Sequence, residues 1–241
     1  MKTDTKDIEK IMDDLITGGS NVLVASPETI QQLKDKGLPI KETFVSYEEY
    51  LQKLVVERQK EALARLKRLP KIDSSIADAV INEIYEEIRS SYALGFFTSS
   101  IANSIFLLEY SMRSALFTVR IKNDPKYEWI KLENMTMKKL IAQLKKASVL
   151  NESDSKMLIN FNDTLRDPYL HINIRKLSEE IVISELPSVN VATGVINIMR
   201  DVKASEHRFL WFSAKRFFDK STVDQVINFC ISWTNKLLIE R

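Results

Sequence analysis

The sequence predicts a mainly α-helical protein with a small β-α-β appendage at its N-terminus and a hairpin insert nearer its C-terminus. Only 5 of the 241 residues are glycine, so tight turns are scarce and helices are favoured. Apolar residues recur every three or four positions over a long central stretch, which is the period of an amphipathic helix. The residues that carry this period are Ile76, Val80, Ile84, Ile88, Ile101, Ile105, Leu108, Met112, Leu116 and Val119.

The composition is that of an ordinary globular protein. Its formal net charge is only +2, so any binding of nucleic acid must come from a local basic patch. Residues 1–14 mix lysines with acidic residues, and no apolar run reaches the length of a membrane span, so we expect a cytoplasmic protein that does not contact a membrane. Cys230 is the single cysteine and lies between apolar residues, which favours a buried thiol. No cofactor motif or metal-binding array is present, so no cofactor and no metal are expected.

Residues 1–73 are predicted to form an accessory region. A short β-prone run at residues 21–25 precedes a helix that should begin near Ser26 and stop at Gly37, and residues 43–45 form a second candidate strand. A capping box at residues 46–49 then opens a charged helix that ends before Pro70. The basic end of this helix, residues 65–68, is interpreted as a solvated helix terminus rather than a site for nucleic acid.

Residues 74–241 are predicted to form the helical domain. Gly95 should kink or divide its first long helical stretch, and Asn123-Asp124-Pro125 should end that stretch. A lysine-rich helix follows at residues 137–147, and the next helix is capped at Asn151 and runs into Arg166.

The last third of the chain is less regular. Between residues 177 and 219 the helical pattern loosens, and β-prone residues at 181–183 and 189–191, with Pro187 between them, predict a hairpin or an extended insert. Ser221-Thr222-Val223-Asp224 is expected to cap the final helix, whose apolar face includes Cys230.

The most reactive side chains stand together in Arg166-Asp167-Pro168-Tyr169-Leu170-His171, which holds one of the two histidines of the chain. An imidazole near neutral pH can take a proton from a ribose 2′-hydroxyl or return one to the departing 5′-oxygen. A guanidinium can bind the phosphate and stabilise the charge that develops on it. This pair therefore predicts cleavage of RNA. The alternative interpretation is structural, with an arginine that salt-bridges a helix end and a histidine packed at a bend.

The neighbours of this pair carry further predictions. Pro168 should disfavour the α conformation at Asp167, so that the helix kinks or restarts there. The Asp167 carboxylate should favour the protonated form of a nearby imidazole. Tyr169 is a candidate for stacking on a base, although an aromatic ring beside a bend is more often part of a core. Glu109, on an apolar helix face, should support the site by pairing with Arg113 or by reaching Arg166.

Other polar residues are interpreted as less specific. Asn162 and Asp163, one turn before the motif, are expected on a solvated helix face, and His207 is expected at the surface. The aromatic and basic residues between Trp211 and Phe218 are compatible with single-strand binding, but a helix that docks its aromatic face on the core is favoured.

The order of elements around the Arg-His pair resembles the HEPN superfamily. These are small α-helical domains of prokaryotic defence and toxin systems and of several eukaryotic nucleases. The resemblance covers about residues 74–241 and rests on the long helix with Glu109, the lysine-rich helix at 138–144, the helix at 158–165 and the motif at 166–171. Family members more often have asparagine where this chain has Asp167. The resemblance implies an HEPN-like antiparallel helical bundle.

The resemblance also implies a function. It implies a metal-independent endoribonuclease of a defence or toxin–antitoxin system, in which Arg166 binds the scissile phosphate and His171 acts as acid and base. Asp167, Tyr169 and Glu109 would support them. Family members answer the need for two acid-base groups with a homodimer, whose two-fold axis brings two Arg-His pairs into one cleft. RNA is the expected partner, with an antitoxin or another protein as a further one.

A second hypothesis stays open. In it the chain is a non-catalytic HEPN-like dimer that binds a protein or a nucleotide, and residues 1–73 face the partner. The position of His171 separates the two hypotheses, since a buried and hydrogen-bonded imidazole would favour binding over cleavage.

Overall fold

The computed structural model describes residues 31, 35, 47–189 and 196–239 of the chain. The chain divides into two units, Met1–Gln52 and Lys53–Arg241. The described residues belong to the second unit, apart from Gln31, Asp35 and residues 47–52, where the first described helix begins. The predicted strands at 21–25 and 43–45 lie outside the described residues, and so does Ser46 of the predicted capping box.

Two isolated residues fall within the helix predicted after Ser26. Gln31 and Asp35 are both helical, and the Gln31 amide donates a hydrogen bond to the Asp35 carboxylate at 2.8 Å. A spacing of four residues is the spacing at which side chains meet on one helix face.

The described residues are mainly α-helical with one two-stranded antiparallel sheet, which confirms the predicted fold class at that level. The helices are α1 (Tyr47–Arg68), α2 (Ala79–Ala93), α3 (Phe97–Asn123), α4 (Ile130–Glu133), α5 (Met137–Lys146), α6 (Glu152–Phe161), α7 (Asp167–Leu170), α8 (Ile174–Leu177) and α9 (Trp211–Ile239). A π-helical turn, Asn162–Arg166, joins α6 to α7. The strands β1 (Val182–Val189) and β2 (Ile196–Lys203) lie between α8 and α9.

Helix α3 is the central element of the core, and α2 and α9 pack along it. The apolar repeat explains this position, because Ile101, Ile105, Leu108 and Met112 are all fully buried. Buried serines satisfy their hydroxyls within the same helix by donating to the carbonyl four residues earlier, as Ser104 does to Ser100 at 2.7 Å. Small side chains of this kind let neighbouring helices approach closely without leaving polar groups unpaired.

Two arginines of α1 hold the C-terminal end of α2. Arg65 donates to the Ala93 carbonyl at 3.0 Å, and Arg58 donates to the Leu94 carbonyl at 2.9 Å. Cations at a helix C-terminus bind carbonyls that have no partner within the helix. Arg65 is 8% exposed, so the prediction of a solvated helix terminus is wrong for this residue.

Gly95 divides α2 from α3, which was one of the two predicted outcomes. Its φ is +71°, and its N–H bonds to the Tyr92 carbonyl while that of Phe96 bonds to the Ser91 carbonyl. These two bonds form a Schellman motif, in which the residue after the helix cap adopts the left-handed conformation. A Cβ at Gly95 would also lie 3.2 Å from Nη1 of Arg65, so both the backbone and the packing favour glycine here.

The insert contains the predicted hairpin, but its strands differ from the β-prone runs. Pro187 does not separate the strands; it lies within β1 and pairs with Ile198 of β2. Both strands of a two-stranded sheet are edges, so a proline can point its missing N–H away from the partner. Val189 belongs to β1 rather than to a second strand, and Asp201 in β2 has a φ of +51° opposite Ser184, where the pairing is interrupted.

The last helix begins earlier than predicted. Helix α9 starts at Trp211, so Ser221 and Thr222 lie inside it and do not cap it. Their hydroxyls bond back to the Phe218 carbonyl at 3.0 and 2.7 Å, which is how serine and threonine are accommodated within a helix. The predicted cap at Asn151 is confirmed, since Asn151 and Asp154 form a capping box at the start of α6.

Candidate functional site

The Arg166–His171 segment follows a change of helix type. The Asp167 N–H bonds to the Asn162 carbonyl, five residues earlier, and so closes the π-helical turn that precedes α7. Asp167 has φ −63° and ψ −48°, which is the right-handed α region. The prediction that Pro168 disfavours this conformation at Asp167 is therefore wrong. The helix does restart at this point, as predicted, since the π turn gives way to α7 with proline in its first turn.

Arg166 is held by two carboxylates. Its Nε donates to Oε1 of Glu109 at 2.8 Å, and its Nη1 donates to Oδ1 of Asp167 at 2.6 Å. Its Nη2 lies 2.7 Å from the same Glu109 oxygen. Partial burial lowers the pKa of the guanidinium, but the hydrogen bonds to Asp167 and Glu109 outweigh burial and raise it. Arg166 thus keeps its charge, and 19% of its side chain remains exposed.

Glu109 joins both of its predicted partners. Its second oxygen accepts a hydrogen bond from Nη2 of Arg113 at 3.1 Å, while Arg113 also donates to the carbonyls of Leu132 and Met135. Glu109 is only 7% exposed, so its charge is buried between two guanidiniums. We call Glu109, Arg113, Arg166 and Asp167 the Glu109 cluster.

Asn162 and two lysines extend this cluster. Asn162 is buried, and its amide donates to Asp163 at 2.8 Å and to Asp167 at 3.1 Å, so its prediction as a solvated residue is wrong. Lys138 pairs with Asp163 at 2.8 Å and lowers the pKa of that carboxyl. Lys176 donates to the Asp163 carbonyl. Sequence reasoning identified neither lysine as part of the site, because both come from other elements and only the fold brings them here.

His171 lies at the surface, at the C-terminal cap of α7. Within the described part of the chain, its imidazole makes no hydrogen bond and no ion pair. The next residue, Ile172, has a φ of +52° and is 72% exposed. The Ile172 and Asn173 N–H groups bond to the Tyr169 and Pro168 carbonyls in the same Schellman arrangement that Gly95 forms. A β-branched residue in this conformation is strained, and such strain is found most often at functional sites.

Tyr169 is part of the core rather than of an open surface. It is 5% exposed, and its hydroxyl donates to Asp219 at 3.1 Å while Lys215 donates to it at 3.0 Å. Burial, followed by the nearby charge of Asp219, raises the pKa of the phenol strongly, so it stays neutral. Its ring is not available to a base in this chain, which agrees with the favoured interpretation of an aromatic residue beside a bend.

A second polar cluster surrounds the Tyr169 hydroxyl. Asp219 accepts hydrogen bonds from Lys215 at 2.6 and 2.7 Å and from the Thr98 hydroxyl at 2.5 Å, and it is 4% exposed. We call Thr98, Tyr169, Lys215 and Asp219 the Asp219 cluster. The sequence does hold a signal for part of it, because Lys215 and Asp219 stand at the i,i+4 spacing of a helical ion pair.

Two further residues considered from the sequence, Cys230 and His207, lie outside both clusters. Cys230 is fully buried, as predicted, and burial raises the pKa of its thiol. His207 is half-buried between two 3-10 turns and outside both clusters. Two cavities in the described part of the chain, of about 320 and 130 Å³, are lined by other residues.

None of the described helices combines the length and the apolar character needed to cross a membrane. No group of three or more His, Cys, Asp or Glu side chains among the described residues is placed to hold a metal ion. A scan against protein-family models gives no match, and searches of curated proteins and of solved structures give none either.

Proposed function

We propose that this chain is an endoribonuclease that needs no metal and cleaves RNA through Arg166 and His171. The observation that carries the proposal is the contrast between these two side chains. Arg166 is fixed and kept charged by a buried carboxylate, with part of its guanidinium still exposed. His171, a few residues further on, stands exposed at the surface. This reaction requires a fixed phosphate-binding group and an accessible proton carrier, and the two residues supply one of each.

Each group has a distinct task in the proposed reaction. Each of the three guanidinium nitrogens lies within 2.8 Å of a carboxylate oxygen of Glu109 or Asp167, but Nη1 and Nη2 carry two N–H groups each, so one donor on each remains for a phosphate oxygen. The ribose 2′-hydroxyl attacks the phosphorus, the bond to the 5′-oxygen breaks, and a 2′,3′-cyclic phosphate forms. His171 takes the 2′-hydroxyl proton or supplies one to the departing 5′-oxygen. No external nucleophile is needed because RNA supplies its own.

One histidine can serve only one side of the phosphate at a time. Members of the HEPN superfamily supply the second acid-base group through a two-fold dimer. We therefore extend the proposal to a homodimer whose two His171 side chains share one cleft. The resemblance to this superfamily puts the enzyme in a defence or toxin–antitoxin system. The charged groups around the site favour binding of a polyanion only slightly, because four cationic side chains are offset by three carboxylates. These are Arg113, Lys138, Arg166 and Lys176, with Glu109, Asp163 and Asp167.

The test is incubation of the purified protein with single-stranded and structured RNA in EDTA, followed by analysis of the product ends. Wild type should yield 2′,3′-cyclic phosphate ends, and His171→Ala should abolish them. His171 is exposed and lies outside the core, so this variant should keep the helical circular dichroism. His207→Ala is the matched control, because it removes the other histidine of the chain and should leave cleavage intact. Full activity of His171→Ala would overturn the proposal.

Arg166 is tested by a conservative substitution, because truncating it to alanine would remove one of the two guanidinium partners of the buried Glu109 carboxylate. Arg166→Lys keeps a charge beside Glu109 but loses the planar fork that binds phosphate at two points. We expect this variant to fold and to cleave at least about tenfold more slowly. Unchanged cleavage by Arg166→Lys would show that the guanidinium does not contact the phosphate.

One observation favours the second candidate function. Asp167 holds Nη1 of Arg166 at 2.6 Å, so a phosphate must compete with a carboxylate already in place. This arrangement also suits a dimer that binds a protein or a nucleotide without cleaving RNA. Nucleotide or protein binding by a wild-type protein that leaves every RNA intact would select this candidate.

A further inference from the structure

The larger of the two cavities is formed by α1, α2 and the segment that joins them. Its volume is about 320 Å³, within the range of about 300–1,000 Å³ that small-molecule sites occupy. It is lined by Leu66, Leu69, Lys71, Ile72, Tyr85 and Arg89. None of these residues belongs to the Glu109 cluster or the Asp219 cluster, so the proposed cleavage of RNA gives the cavity no task.

Hydrogen bonds fix the joining segment that forms one wall of this cavity. The Tyr85 hydroxyl donates to the Pro70 carbonyl at 2.9 Å, and the Asn235 amide of α9 donates to the Lys71 carbonyl at 3.1 Å. The Asp73 N–H donates in turn to the side-chain oxygen of Asn235 at 3.0 Å. The backbone around Lys71 is thus tied to both α2 and α9. A wall that is already in place loses less conformational freedom when a ligand binds.

Three aliphatic side chains give the cavity an apolar part. Leu69 is 9% exposed and belongs to the main hydrophobic core, and Ile72 packs against that core. Leu66, on the last turn of α1, is partly buried. Replacing water at such a wall by hydrocarbon is favourable in proportion to the apolar area that is covered. A ligand of this cavity should therefore have an apolar body.

The charged part of the lining is cationic. Lys71 and Arg89 supply its two charges, and no carboxylate of the described residues lines the cavity. Within the described part of the chain the Lys71 ammonium makes no hydrogen bond and no ion pair. Arg89 pairs with Glu86 at 3.2 Å, but both side chains are more than half exposed. Such an exposed pair is weak, so the guanidinium can also bind a second anion.

The Tyr85 phenol reports the sign of the local charge. Burial raises the pKa of this phenol, and the nearby Arg89 charge opposes the rise more strongly than the Glu86 charge adds to it. The electrostatic balance at the Tyr85 hydroxyl is therefore positive, in agreement with the cationic lining. An anionic group on the ligand fits this balance.

We propose that this cavity binds a small carboxylic acid with an apolar body, of the medium-chain fatty acid class. The carboxylate pairs with Lys71 and Arg89, and the hydrocarbon chain covers Leu66, Leu69 and Ile72. A peptide C-terminus carries the same carboxylate, but its peptide groups would lie without partners against an aliphatic wall. This binding is separate from the proposed endoribonuclease function, which uses none of these residues.

Isothermal titration calorimetry of the full chain with octanoate tests the inference. We expect saturable binding of one octanoate per chain, with a Kd below about 1 mM. Butanoate is four methylene groups shorter and should bind at least about tenfold more weakly. Octan-1-ol has the same chain without the charge and should bind about threefold more weakly or less tightly still. Non-saturable binding of octanoate, or affinity that does not depend on the charge or on the chain length, would overturn the inference.

Two substitutions locate the carboxylate. Lys71→Gln and Arg89→Gln change exposed side chains, so both variants should keep the helical circular dichroism. Each should raise the Kd for octanoate roughly threefold, and the double variant roughly tenfold. The matched control is Lys67→Gln, which removes an exposed cation from the last turn of α1 but lies outside the lining, and it should leave the Kd unchanged. An unchanged Kd in the double variant would overturn the inference. An equal rise in Lys67→Gln would overturn it as well, because general positive charge would then explain the binding.

Discussion

The Asp219 cluster and the Glu109 cluster, which hold the Arg166–His171 segment at Tyr169 and at Arg166, differ in how many of their hydrogen-bond donors are already paired. In the Asp219 cluster a single carboxylate, 4% exposed, accepts from a phenol, an ammonium and a hydroxyl. The Lys215 ammonium donates to both Asp219 oxygens and to the Tyr169 hydroxyl, so its three N–H groups are all used within the cluster. In the Glu109 cluster the carboxylate is 7% exposed, and its guanidinium partners are 18% and 19% exposed, about as much as Lys215 at 18%. Nη1 and Nη2 of Arg166, however, each keep an N–H group that the cluster does not use. We call the first cluster closed because its donors are all used, and the second open because donors remain.

This difference assigns the clusters different tasks. A closed network of buried charges is costly to disturb, and here it fixes α7 to α3 and α9 through Tyr169. An open cluster holds its arginine in place while leaving donors for a ligand. The segment between them is thus anchored at Tyr169 and available at Arg166 and His171. Substitutions that separate these two tasks test the comparison directly.

The largest effect is expected for Asp219→Asn. An amide at this position turns N–H groups towards partners that are themselves donors, and it leaves the Lys215 charge unpaired. We expect a loss of about 3 kcal/mol in the free energy of unfolding, measured by urea denaturation. The matched control is Asp224→Asn, since Asp224 also accepts from a tyrosine, Tyr92, but its side chain is 44% exposed. An equal loss in both variants would contradict the description of the Asp219 cluster as closed.

A smaller loss is expected for Glu109→Gln. The amide oxygen can still accept from Arg166, whose Nη1 remains bound to Asp167, and Arg113 keeps the carbonyls of Leu132 and Met135. We expect a loss of about 1–2 kcal/mol in the free energy of unfolding. Cleavage of RNA should fall at the same time, since the guanidinium is less firmly placed. Should Glu109→Gln prove as destabilising as Asp219→Asn, the contrast between the clusters would disappear.

Asp167→Asn should change binding more than stability. It removes the carboxylate that competes with a phosphate for Nη1 of Arg166, and it introduces the residue that is commoner in the HEPN family. We expect affinity for a fluorescein-labelled 2′-O-methyl RNA strand, which can bind but cannot be cleaved, to rise about threefold to fivefold, corresponding to about 1 kcal/mol or less at a partly exposed site. Fluorescence anisotropy measures this change, and urea denaturation of the same variant serves as the control. Weaker binding would show that Asp167 supports the ligand rather than competing with it.

The smallest effect is expected at the turn after His171. Ile172→Gly relieves the positive φ, and because Ile172 is 72% exposed, little burial is lost. We expect a gain of about 0.5–1 kcal/mol in the free energy of unfolding. Gly95→Ala, at the equivalent position after α2, should destabilise by at least as much. If relief of strain also slows cleavage, the conformation of Ile172 contributes to the placement of His171.

Much of the fold could be predicted from local patterns. The four-residue apolar repeat predicts α3 because its period matches the helix, and the capping box at Asn151 predicts the start of α6 because it involves residues close in sequence. The errors have a common cause. Ser221 resembles a helix cap, and Pro187 resembles a strand breaker, but packing of α9 and the edge position of β1 override these local preferences.

The candidate site could be predicted only in part. The Arg166–His171 segment is recognisable because both reactive residues belong to one short stretch of chain. The sequence could not decide which arginine Glu109 binds, since Glu109 lies 57 residues before Arg166 and could bind Arg113, Arg166 or both. Lys138 and Lys176 carried no local signal for the site, because only the fold brings them to Asp163.

The sequence by itself determined the helical class, most of the helices in the described residues and the two reactive side chains, because these depend on periodicity and on the chemistry of single residues. The tertiary structure decided which carboxylate fixes Arg166, which side chains anchor Tyr169 and which lysines lie beside Asp163. These features depend on contacts between residues far apart in the chain. Burial then decides their effect, since the same carboxylate that is nearly inert in water becomes a strong constraint inside a protein.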